Sequence, residues 1–417
     1  MGYRCCGMTQ MAGAVLLLSV LLTPTPVKAQ AQEPDPMAEA RVRLGSFAFT
    51  PAVFVTGGYD SNITRTSDGE GDWELVTSPQ IDAWLALGRA LLNINSAVEL
   101  TNHQKDPPVT FNYFNGVSLT VPGGVLKPTV SYSNINLYAR PTGFEIGERS
   151  RRVENSAGAR LDWQVGSRTT LSADVSWLKL DWDGAAEYQG SNLQEFLNRT
   201  ITTGLLSAGS QLTPLTSVFA AARVTRDRFE FSPERDGESL DLLGGVTLAS
   251  PALISGTGVI GFRHAQARTS GAQDYNGLVY IGQFRYVRES RTRLLVDLDR
   301  QPTYSYTESL GYYLLTSTSA AYIQSISQDW ETSVFGGFHF LDYRLAGLPA
   351  GEGTTTRRTD LGGGVSRRVG AFTRVGVNYS YIMSRGADRY DAWRAVMYIV
   401  YGSDKLKRLD RPLPDER

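Results

Sequence analysis

The sequence predicts an all-β chain: a transmembrane, antiparallel up-and-down β-barrel of about 18 strands (16–18), preceded by a cleaved signal peptide. Three observations carry that reading. Apolar and polar residues alternate with a period of two in stretch after stretch. Long polar connections alternate with tight turns. The first residues have the form of an export signal.

The clearest stretch runs from Trp73 to Leu87. Its odd positions include Trp73, Leu75, Ile81, Leu85 and Leu87, and its even positions include Glu74, Gln80 and Asp82. A period of two sends one set to each face of a strand. A tilted strand crossing a bilayer needs about 9–11 residues in the hydrocarbon, and this run is long enough. Lipid therefore faces the odd set, and water or polar contents face the even set.

Composition agrees. Lys+Arg 41 and Asp+Glu 42 nearly cancel, so neither nucleic acid nor an acidic solvating tail is indicated. The hydrophobic share is 41% and the mean hydropathy is −0.22. A barrel hides its lipid face in alternation, so a modest average is what it shows. At the N-terminus, Arg4, the apolar run Ala12–Leu22 and Val27-Lys28-Ala29 form a signal peptide over 1–29. Cys5 and Cys6 leave with it, so the mature chain has no thiol or disulfide chemistry.

Residues 30–46 are expected to be a polar periplasmic lead-in, 47–402 the barrel, and 403–417 a polar periplasmic tail. Strands begin at Phe47 and recur to Tyr390–Tyr401. In the stretch Thr129–Ala139 the apolar phase changes between Tyr132 and Ile135, which predicts a bulge. Long connections include Asp60–Asp72, Arg140–Arg152, Asp183–Asn192 and Phe231–Glu238; tight turns include Gly88-Arg89, Pro122–Val125 and Thr213–Thr216. That asymmetry places the long loops outside the cell and the turns in the periplasm. Tyr59, Trp73, Trp182, Phe229, Tyr304, Tyr343, Tyr379, Tyr381 and Tyr390 lie beside long loops, as an interfacial girdle would. Gly336-Gly337 and Gly362–Gly364 would let late strands bend.

Several phrases resemble one family. They are Gly58-Tyr59-Asp60-Ser61-Asn62, Leu212-Thr213-Pro214-Leu215-Thr216, Leu294–Arg300 followed by Tyr304-Ser305, and the late glycine-rich strands. The chain is similar to the beta-barrel porin two family, outer-membrane barrels associated with exopolysaccharide export. The resemblance implies a passive conduit or accessory in that export, in the outer membrane of a Gram-negative bacterium. It implies periplasmic polysaccharide-export proteins and a polysaccharide as partners, beside outer-membrane lipid, lipopolysaccharide and the barrel assembly machinery. It offers no catalytic residue to carry over. A solute-selective or general diffusion porin is the alternative, and a plugged structural or adhesive barrel is a third.

No cofactor or metal is indicated. His103 is read as a loop residue, and His264 and His339 as strand-end residues, without metal spacing. A Ser–His–acid assembly has no sequence signal. Ser67–Asp72 is read as a solvated loop in preference to a calcium site. The informative set is the inward charges. By parity the lumen-lining candidates are Glu74, Asp82, Glu99, Arg160, Asp162, Asp174, Arg223, Asp241, Arg263, Arg285, Asp297, Asp299, Glu331, Arg358, Asp360 and Arg374. They are either a ladder of ion pairs that stiffens the wall or a mixed-charge lining that selects solutes. On the sequence alone, changing Arg160, Arg263 and Arg374 to Glu is expected to shift reversal potentials toward cation selectivity.

Overall fold

A computed structural model describes residues 37, 40–105, 109–139, 145, 149–188, 190–250, 252–267, 274–289, 291–305, 312–344, 355–386 and 389–402. The signal segment and the C-terminal tail lie outside the described residues.

The chain begins with a short strand β1 (Val42–Leu44) that folds back on Phe47–Phe49, so the lead-in is partly strand. Seven long strands follow: β2 (Phe47–Asp60), β3 (Asp72–Leu87), β4 (Ala90–His103), β5 (Val109–Thr120), β6 (Leu126–Ala139), β7 (Ser150–Gln164) and β8 (Thr169–Trp182). The next connection holds a small hairpin, β9 (Glu187–Tyr188) with β10 (Ser191–Asn192), and one helical turn, α1 (Leu193–Leu197). Six strands come next: β11 (Arg199–Thr213), β12 (Thr216–Phe229), β13 (Gly237–Leu248), β14 (Ile254–Ala267), β15 (Tyr275–Arg288) and β16 (Thr292–Tyr304). The last five are β17 (Tyr312–Ser325), β18 (Trp330–Arg344), β19 (Thr355–Arg368), β20 (Thr373–Arg385) and β21 (Tyr390–Tyr401).

Each long strand pairs antiparallel with its sequence neighbours, β8 with β11, and the last strand with the first. The result is a closed barrel of 18 strands. Closure satisfies the ladder in a solvent that cannot hydrogen-bond. The joint between the chain's ends is short, from Val53 with Tyr401 to Asp60 with Arg394. It is clasped at both ends. Outside, Trp73, Tyr59, Trp393 and Tyr379 pack ring on ring across four strands, edge-on, tilted and stacked in turn, with centroids 5.2, 5.2 and 6.2 Å apart. At the periplasmic end, Arg41 lies 3.8 Å over the Phe372 ring and donates to the Gly402 carbonyl at 2.9 Å.

The parity of the outward face is plain. Leu206, Leu242, Ile260, Val334, Leu361, Met397 and Ile399 are exposed, while their strand neighbours turn inward. Most strands run further at their outer ends than the apolar alternation does. β7 starts at Ser150, inside the stretch read as loop, because above the hydrocarbon nothing requires alternate residues to be apolar.

Three expectations are corrected. No bulge interrupts β6: it pairs one-for-one with β7 from Leu126 with Trp163 to Ala139 with Ser150. Ile135 and Leu137 change phase in the sequence because they face the interior, where Ile135 pairs with Phe114 and Leu137 is buried. Four supposed girdle rings, Trp182, Phe229, Tyr343 and Tyr390, are buried on inward positions, and Tyr304 packs on Phe229. Gly362 makes room for a ring rather than a bend: a Cβ there would lie 2.3 Å from Phe335 Cζ.

The strand prolines mark ladder gaps. Pro51 precedes the first rung between β2 and β21, Pro79 sits where β3 and β4 lose register contact, and Pro128 lies beyond the last rung between β5 and β6. Proline has no N–H to give a neighbouring strand. Replacing outward Val334 with Arg should destabilise the barrel by about 2–4 kcal/mol in lipid vesicles, as for a cation at mid-bilayer. Ser333→Arg, one residue away and facing inward, should cost clearly less; urea titrations of the two variants measure the difference.

Candidate functional site

All sixteen candidate charges face the interior. The structure gathers most of them into clusters instead of leaving a row of free charges. Arg223 Nε meets Asp241 Oδ2 at 2.6 Å, and Arg263 Nε meets Asp241 Oδ1 at 2.6 Å. These three come from directly paired positions on β12, β13 and β14. Near the periplasmic end, Glu331 takes Arg293 at 2.8 Å and also Arg374. Arg160 and Asp162 pair at 2.8 Å, with Ser172 donating to Asp162 at 2.6 Å and Asp174 alongside. Glu99 accepts from Asn112 at 2.9 Å, and Asp299 from Gln301 at 3.2 Å. Asp82, Arg285 and Asp297 are inward and half-buried.

Burial separates the two roles left open by the sequence. Asp241 is 0% exposed, and Arg223 and Arg358 are 2% exposed. Charges so buried cannot serve as a water-facing lining; they are fixed wall ties. A buried carboxylate between two guanidiniums is costly to desolvate, and the pairing repays that only while intact.

A fourth cluster joins two of the candidates, Arg358 and Asp360, to Ser317 and His339, an assembly that had no sequence signal. Ser317 Oγ lies 2.5 Å from His339 Nδ1, and His339 Nε2 lies 3.0 Å from Asp360 Oδ2. Arg358 Nε holds the other Asp360 oxygen at 2.8 Å. His339 is therefore a buried mid-wall residue, held as a relay between a hydroxyl and a carboxylate. Arg358 and His339 thus share one carboxylate. His103 is likewise no loop residue: it ends β4, buried, 3.8 Å from Asp72 and against Arg149. His264 faces outward beside Asn276.

The outer half of the interior is filled further by infolded segments. Leu193 and Leu197 of α1 bury against Leu178, Leu180 and Trp182 on the inner face of β8. From the connection between β6 and β7, Glu145 accepts from Ser305 at 2.5 Å and from Tyr188 at 3.2 Å. Arg235 donates to the Ser305 carbonyl at 2.6 Å, and Arg199 lies 5.1 Å over the Tyr304 ring. Burial among these groups pulls the Arg235 guanidinium below its ordinary range. In the loop after β2, Ser67, Asp68 and Glu70 are exposed, as read from the sequence, while just before them Arg65 pairs with Asp60 at 2.8 Å with both buried. Among the described residues no group of three or more potential ligands could hold a metal.

Sequence parity could have found Arg152, Glu154, Arg199, Asp227 and Arg394, which also face inward and pair there. They were missed because they lie above the apolar alternation, in stretches read as loop or strand margin.

An apolar outer band, an aromatic clasp at one rim and a charged interior on a closed sheet leave one location. The chain is a barrel of the Gram-negative outer membrane. No family model matches it, and no curated protein matches it. Among solved structures it is similar to Pseudomonas aeruginosa OccK2 (OpdF) in complex with glucuronate, at 10% identity and a TM-score of 0.49, covering 85% of this chain and 96% of that one. It is similar also to Acinetobacter baumannii OccAB4, at 10% identity and 0.46, covering 85% and 98%. Likeness at this level bears on neither solute nor family.

The clusters change what charge reversal would do. Arg160, Arg263 and Arg374 all hold acids, so Glu at those positions would set like charges together. Asp241→Asn, which leaves two buried guanidiniums without their carboxylate, should cost about 3–5 kcal/mol of unfolding free energy. The triple change of Asp241 to Leu and Arg223 and Arg263 to Met, which leaves no buried charge in the cluster, should cost less, by the same urea titration.

Proposed function

We propose that the chain is a passive, non-enzymatic outer-membrane channel for small polar solutes, selective by a narrow path past its half-buried charges of both signs, such as Asp82, Arg285 and Asp297, the buried pairs serving only as wall ties. What supports this over a wide conduit is the infolded tip of β16 and β17. Together with α1 and Glu145 it occupies space that an eighteen-strand wall would otherwise leave to water. A hydrated polymer needs a continuous wide bore. The exopolysaccharide conduit implied by the porin-two resemblance is thus the second reading, and it requires the tip to withdraw. In either reading the barrel sits in lipid and lipopolysaccharide and reaches them through the barrel assembly machinery.

Planar-bilayer recording tests the proposal. The purified protein should give small, discrete steps. Tyr304→Ala combined with Arg235→Ala, which loosens the tip from β12, should raise single-channel conductance about twofold or more. Absence of steps from folded protein would leave the closed structural barrel as the answer.

A further inference from the structure

The wall between β15 and β16 is discontinuous in its outer half. Their ladder ends at Tyr280 with Arg300. Yet β15 stays paired with β14 up to Tyr275, and β16 stays paired with β17 up to Tyr304. Residues 275–279 and 301–304 therefore present edges to each other without rungs. Pro302 lies in that edge and has no N–H to complete one. The joint between β5 and β6 also lacks outer rungs, but there Asn112 Oδ1 accepts from the Tyr138 N–H at 2.7 Å and bridges the gap.

Side-chain parity shows how the edges overlap. Tyr312 and Leu314 occupy outward positions of β17, in step with exposed Tyr322. Leu314 nevertheless packs on Leu243, Val259, Tyr275 and Val279, which are inward positions of β13, β14 and β15. Tyr304, outward on β16, meets Phe229, inward on β12, at 5.1 Å. The outer ends of β16 and β17 thus pass inside their neighbours, and the wall laps over itself.

Both faces at this lap are apolar. On the lumen side lies the strip of Leu243, Val259 and Val279, buried beneath Leu314. On the lipid side, just below the last rung, lies a groove of about 600 Å³. Gly244, Val246, Gly258, Ile260, Gly282 and Phe284 form most of it. Gly258 and Gly282 are directly paired and floor the groove, with the Phe284 ring lying over part of both: a Cβ would come within 2.8 Å of that ring at Gly258 and 3.0 Å at Gly282.

We propose that this lap is a lateral portal, through which a single-chain amphiphile moves between the lumen and the outer leaflet, its acyl chain seated in the glycine trough. The trough faces hydrocarbon, so the occupant is an acyl chain. The groove and the strip beneath Leu314 flank the same joint from opposite faces of the wall. Arg300 stands at the base of the portal, donating to Thr316 at 2.7 Å, where an anionic headgroup would cross. This route is independent of axial conduction by the channel.

Full-length protein in outer-membrane vesicles, irradiated with a photoactivatable palmitate analogue and mapped by peptide mass spectrometry, tests it. Adducts are expected on Phe284 or Ile260 outside and also on Val279 or Leu314 inside. Gly282→Phe, and independently Gly258→Leu, fill the trough from the lipid side and should cut the inside adducts about tenfold. Adducts only on the outside mean ordinary bilayer contact and overturn the portal. Inside adducts that survive both substitutions overturn it as well, as does a lack of adducts anywhere.

Discussion

Hydrocarbon offers a backbone no hydrogen bonds, and the whole architecture follows from that. Each strand must find two partners, so the sheet closes. Once closed, each strand has a lipid face and an interior face, and every side chain is committed to one of them. The exposed row of Leu206, Leu242, Ile260 and Val334 and the buried row of Arg223, Asp241 and Arg358 are two sides of one constraint. Where a proline withholds an N–H, the ladder stops, and the chain's irregular features collect there.

The interior answers a different problem. Eighteen strands enclose more space than their inward side chains fill. This chain fills part of it by folding material back in: α1, Glu145, and the outer ends of β16 and β17. Such filling buries charges, and buried charges must be paired. Asp241 between two arginines and Glu331 between two more are the outcome. The same packing explains why apolar residues such as Leu315 and Leu341 face inward without meeting water.

Much of the fold was legible in the sequence because lipid enforces a two-residue period, as from Trp73 to Leu87. The facing of Glu74, Asp82 and Arg160 could be read from the same rule. What could not be read is where the rule lapses. Ile135 and Leu137 looked like a bulge because parity assumes a polar interior, and theirs is apolar. Phe229 and Tyr343 looked like girdle rings because proximity to a loop says nothing about facing. The pairing of Ser317 with His339 and of His339 with Asp360 depends on the register of three strands, which periodicity leaves undetermined. The lap at β15 had one sequence sign, Pro302, and a lone proline cannot say on which side of its neighbour a strand will pass.

The clasped joint between the chain's two ends has a mechanical corollary. A cylinder made from one ribbon is ordinarily weakest where the ribbon's ends meet. Here that closure is riveted at both rims, by a row of packed rings outside and by Arg41 below. A joint without such rivets lies in the interior of the ribbon, between the outer halves of β15 and β16. Strain on this cylinder would be relieved as a hinge partway round its circumference, while its first and last staves stay locked together.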